Sequence, residues 1–179
     1  MKLSAVFAVV GLFAIAGATQ AATHSATTQQ DEHALSNAQV SLTEAISAAQ
    51  EQGNGQAVSA DYNVKHGTAG YYDVKVLSSD GQKLTRYRIA ADTGKVISTD
   101  NEPIEKVFTR LKPESLRNAP TSMKQAITTA EEKSGGKAMG ASIHSDGDQV
   151  QYTVHVAKAD GSTEKVTVNG SNGRVASAK

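Results

Sequence analysis

The chain has no cysteine and no tryptophan, only three prolines and five tyrosines in 179 residues, and its 18 basic residues are matched by 18 acidic ones. Without cysteine there can be no disulfide, no lipid-bearing cysteine and no thiolate metal site, so packing alone must hold the fold. Balanced charge excludes the concentrated basic footprint of a nucleic-acid binder and a polybasic membrane patch. Beyond its first segment the sequence also lacks an apolar run of the roughly 20 residues needed to span a bilayer as a helix.

What is present begins with Met1-Lys2-Leu3-Ser4, an apolar run from Ala5 to Ala16, and small residues after it. That order reads as a secretory signal over residues 1–21, with cleavage expected after Ala21, so that the mature chain carries no membrane span. The expected location is therefore exported: periplasmic, alternatively secreted. Residues 22–40 are polar without sustained period and read as a disordered lead-in.

An internal repeat follows at a spacing of about 80 residues. Ser41-Leu42-Thr43-Glu44-Ala45-Ile46 matches Ser122-Met123-Lys124-Gln125-Ala126-Ile127. Each places Ser at an N-cap with Glu or Gln three residues on, the pattern of a capping box. Leu42, Ala45, Ile46 and Ala49 then share one helical face, as do Met123, Ala126, Ile127 and Ala130. Gly53-Asn54-Gly55 and Ser134-Gly135-Gly136 supply residues that tolerate positive φ and end both helices.

Each helix has one apolar stripe and must lie on something, which the pattern identifies as a sheet. Val58, Ala60, Tyr62 and Val64 alternate with polar residues, then Tyr72, Val74 and Val76, then Tyr87 and Ile89. Tyr152-Thr153-Val154-His155-Val156 repeats Tyr72-Asp73-Val74-Lys75-Val76. Asp80-Gly81 and Asp160-Gly161 are hairpin signals. The fold expected is α+β, two tandem modules, each an N-terminal helix packed on a small antiparallel sheet of three to four strands. The divisions are residues 41–98, a linker over 99–120 and residues 121–179. Within the linker, Ile104, Val107, Phe108 and Leu111 share a helical face after Pro103, predicting a short helix.

The order of capped helix, Gly-rich end, Tyr-x-Val-x-Val strand, Asp-Gly hairpin and Ala91-Asp92-Thr93-Gly94-Lys95-Val96-Ile97 close resembles the PepSY domain family. The first copy carries the pattern from about Ser41 to Ser98. The second, from about Ser122 to Ala176, departs from it at Asn169-Gly170-Ser171-Asn172-Gly173, where the Asp-x-x-Gly acid is lost. The resemblance implies a helix on a small antiparallel sheet, as in propeptides of thermolysin-like peptidases and many bacterial envelope proteins. It implies binding or regulation and supplies no catalytic residues.

The residues themselves argue against chemistry. His24, His33, His66, His144 and His155 include no pair at the spacing that puts two imidazoles on one helix face around a metal. No Gly-x-Ser-x-Gly elbow occurs. Asp146-Gly147-Asp148 opens like a calcium loop but lacks the closing carboxylate and reads as a hairpin turn. Glu131-Glu132 reads as a solvated face. Cleavage after Ala21 would expose Ala22-Thr23-His24, whose amine, amides and imidazole form the square-planar nitrogen set that Cu(II) or Ni(II) takes. A cut moved by one residue removes that set, and no metal or other cofactor is expected.

The tyrosines are the remaining candidates. They read first as packing with the hydroxyl at the rim, and Tyr62, Tyr71 and Tyr87 are the candidates for a partner-binding groove. A small open sheet also offers an edge strand that can accept an extended segment. The expectation is a non-catalytic exported regulatory protein that restrains a peptidase or holds another envelope polypeptide. The alternative is a small-ligand or metal-binding accessory in envelope sensing.

Overall fold

The computed structural model describes residues 34–64, 70–104, 111, 113–147 and 149–179. Helix α1, Leu42–Gly53, starts at Ser41, whose side chain accepts from the Glu44 N–H while Glu44 returns to the Ser41 N–H, a complete capping box. It ends at Asn54, left-handed at φ 44°. Helix α3, Met123–Ser134, repeats this with Ser122, Gln125 and a left-handed Gly135 at φ 68°. The faces read from the sequence are the buried ones: Leu42, Ala45, Ile46 and Ala49 on α1, and Met123, Ala126, Ile127 and Ala130 on α3.

Strands β1, Gly55–Asn63, β2, Tyr71–Ser78, β3, Leu84–Ala90, and β4, Val96–Glu102, follow α1. Helix α2, Pro113–Arg117, precedes α3, and β5, Lys137–Asp146, β6, Gln149–Ala157, β7, Thr163–Asn169, and β8, Val175–Ala178, come after it. Tyr72, Val74 and Val76 in the first half and Val154, Val156, Val166 and Val168 in the second lie beneath the helices, each at most 1% exposed. Burying side chains of this size is worth about 1.5–3 kcal/mol each. The Asp80 carboxylate accepts from the Gln82 N–H at 3.0 Å, and Asp160 does the same for Ser162 at 2.9 Å, fixing the two Asp-Gly turns.

The expected pair of separate small sheets does not form. All eight strands make one antiparallel sheet in the order β4-β3-β2-β1-β5-β6-β7-β8. The joint is β1 against β5, with Ser59 opposite Ser142, Ala60 opposite Ala141 and Asp61 opposite Gly140. Two separate sheets would each leave an edge of unpaired N–H and C=O groups on β1 and β5, and pairing those edges satisfies both. Ala60 and Ala141, 0% and 2% exposed, keep the joint low beneath the helices. Above it, the Lys124 ammonium donates to the Ser47 hydroxyl at 3.1 Å, linking α3 to α1.

Of the lead-in expected over 22–40, residues 22–33 lie outside the described residues. Residues 34–36 form a helical turn, Leu35 is 3% exposed, and the Gln39 and Val40 N–H groups donate to the Ala91 carbonyl. Leu116 in α2 holds the same relation to α3, and Ala119 N–H donates to Leu116 as Ala38 N–H donates to Leu35. The signal segment 1–21 and most of the linker helix, residues 105–110, also lie outside the described residues.

Candidate polypeptide-binding edge and outer face

The three candidate tyrosines are not brought together. Tyr62 is 6% exposed on the helix side, its ring 5.2 Å from that of Tyr72 and tilted by 57°. Tyr87 is also buried there, and a side chain at Gly53 would press on its ring. Tyr71, one residue from Tyr72 and therefore on the opposite face, supports the Arg88 guanidinium 4.3 Å above its ring.

That outer face was invisible to sequence reading because period-two alternation marks its residues only as polar. Across β2, β3 and β4 it holds a cross-strand ion-pair network. Arg88 Nε lies 3.1 Å from Asp73, Arg86 lies 3.2 Å from Asp100 and 3.1 Å from Glu102, and Lys75 lies 3.5 Å from Glu102. The Asp73 carboxylate hydrogen-bonded to Arg88 holds its guanidinium pKa above the usual value. Partly exposed pairs of this kind are each worth about 1 kcal/mol or less. Leu77 and Leu84, opposite each other on this side, are 4% and 3% exposed, and Leu116 lines the same cleft as Leu77.

One transverse row crosses the sheet through Ser98, Arg88, Asp73, Asp61, Gly140, His155 and Lys165. Asp61 leans over Gly140, where an added Cβ would stand 3.0 Å from its Oδ1. Asp61 is exposed as a residue, with its carboxylate set over the Gly140 main chain. Desolvation raises its pKa to about 6, with Lys75 lowering and Asp73 raising it. His155 is exposed on the polar face, as the alternation indicates, and desolvation followed by the nearby Lys165 lowers its pKa. Among the described residues no three His, Cys, Asp or Glu side chains converge as a metal site. His24, His33, His66, Asp148 and Ala22-Thr23-His24 lie outside the described residues.

The two sheet edges differ. Strand β8 has four residues, and the main chains of Lys165 and Lys179 exchange bonds of 2.8 and 3.0 Å at its end. Strand β4 has seven residues and, among the described residues, is bordered on one side only, by β3. Ala90 N–H donates to Lys95 and Ser78 N–H to Lys83, which sets the alternation of the ladders. Arg88, Arg86 and Leu84 therefore turn their main-chain groups toward Ser98, Asp100 and Glu102. Thr99 and Asn101 turn theirs outward, and Ile97 is the extra residue of a β-bulge opposite Arg88 and Ile89. Beside them stand Val96 and Ile97, 37% and 57% exposed, the two exposed large hydrophobic residues among those described.

Residues 39–100 match the PepSY family, described as the peptidase propeptide and YPEB domain. The match spans α1, β1, β2, β3 and most of β4. A predicted lipoprotein from Clostridium difficile 630 shares 17% identity over 79% of this chain and 93% of its own, with a TM-score of 0.47. The YpmB protein from Bacillus subtilis shares 14% over 75% of this chain and 94% of its own, with a TM-score of 0.29. No curated protein matches the chain.

Proposed function

We propose that this is a non-catalytic, exported PepSY protein that holds an extended segment of an envelope polypeptide along β4, a peptidase being the first partner to test. Residues 121–179 are read as a second PepSY-like stretch built into the same sheet, joined through the 99–120 linker. The observation that carries the binding reading is the β4 edge, open among the described residues, with outward main-chain groups at Thr99 and Asn101 and exposed Val96 and Ile97 beside them. Strand addition supplies affinity through main-chain bonds and selectivity through neighbouring side chains. Export rests on the apolar segment before Ala21, and the regulatory sense rests on the family.

The test is binding of the mature chain to a thermolysin-class peptidase catalytic domain and to envelope extract, with Thr99→Pro as control. Proline there removes an outward N–H and no β3 ladder bond, which an edge strand tolerates. Thr99→Pro should keep the wild-type melting temperature and lose at least about tenfold in affinity, or 1.4 kcal/mol. Unchanged binding by a folded Thr99→Pro variant would overturn the edge reading.

A further inference from the structure

The joint between the halves has only three opposed pairs, as few as the β7–β8 margin of the sheet, whereas β5 and β6 share nine. At its centre Ala60 faces Ala141, positions that the repeat aligns with each other. The flanking rungs are then counterparts, yet one is Ser59 with Ser142 and the other Asp61 with Gly140. The second rung carries a carboxylate, and glycine opposite leaves the space it occupies. Every other outer-face carboxylate of the first half, Asp73, Asp100 and Glu102, has a cationic partner. Asp61 accepts no side-chain hydrogen bond or ion pair among the described residues.

From this geometry we infer that the β1–β5 joint is pH-sensitive, tighter when the Asp61 carboxyl over Gly140 is protonated and looser when it ionises. The charged groups facing Asp61 are Asp73 and Lys75 on β2 and, across Gly140, His155 on β6. Strand β5 contributes only Gly140 and Ser142 beside it. An unpaired carboxylate loses solvation as the joint closes and meets Asp73. The neutral acid avoids both costs and gains a proton to donate. Because the joint sets how the halves are held, external acidity would stiffen the sheet at its centre and leave the ladders within each half unchanged.

Amide hydrogen exchange on the full chain at pH 5.0 and 7.5, corrected for intrinsic rates, reads this directly. The alternation assigns the cross-joint bonds to Ala60 and Ala141. Their protection should be on the order of tenfold greater at pH 5.0, while that of Val74 and Tyr87 stays level. Asp61→Asn and Asp61→Ser, the latter matching Ser142, should remove the difference. Equal joint protection at both pH values, a parallel change at Val74 and Tyr87, or persistence of the pH dependence in both variants would overturn the inference.

Discussion

The Tyr152 hydroxyl donates a 2.6 Å hydrogen bond to the main-chain carbonyl of Thr121, the residue before the α3 N-cap. Tyr72 does the same for Val40 before α1, at 2.5 Å. Each helix entry is thus tied to the sheet beneath it by one buried phenol. Burial raises the pKa of Tyr152 to about 12 and that of Tyr72 further, so both donors stay protonated in any ordinary buffer.

Tyr152→Phe removes the donor and leaves the Thr121 carbonyl without it, which should cost about 1–2 kcal/mol. Urea unfolding should show a lower midpoint with an unchanged slope. A wild-type midpoint would mean that the bond contributes nothing.

Ile127→Ala opens a void under α3, where Ile127 is fully buried, and should cost about 2–5 kcal/mol. Because the sheet is continuous, calorimetry should show one cooperative transition that moves as a whole. Two transitions, only one of them shifted, would mean that the halves unfold independently.

Asp61 gives stability a pH dependence whose sign is fixed. Its folded pKa of about 6 lies above the ordinary value of 3.8, so ionisation costs more in the folded chain. The stability it confers is present below about pH 4 and lost as pH rises through 6. His155 has a lowered pKa, so its charging opposes folding as pH falls, and it is unchanged in the comparison. Asp61→Asn should therefore melt higher than wild type at pH 7.5 and nearly level with it at pH 4. The same difference at both values would remove ionisation as the cause.

The local elements were legible because their signals are local. Ser41 with Glu44 and Ser122 with Gln125 announce helix starts, and the Asp-Gly turns fix neighbours across a hairpin. The β1–β5 pairing has no such signal, since the whole length of a repeat separates the two strands and alternation fixes a strand's face, not its neighbour. The fold expectation failed there. The repeat also reaches back before the capped helices. Leu35, Asn37 and Ala38 recur as Leu116, Asn118 and Ala119, and that spacing marks the helical turn before each main helix. Strands β3 and β4 were readable as polar-faced, but that β4 would be the open edge depends on the order of all eight strands.

The most direct test of the central claim is hydrogen exchange at Thr99 and Asn101 with and without a bound thermolysin-class peptidase catalytic domain. In the free chain these outward amides should exchange quickly, and on binding they should become protected while the Ser98 and Asp100 amides, already paired to β3, change little. Binding without new protection along β4 would contradict strand addition.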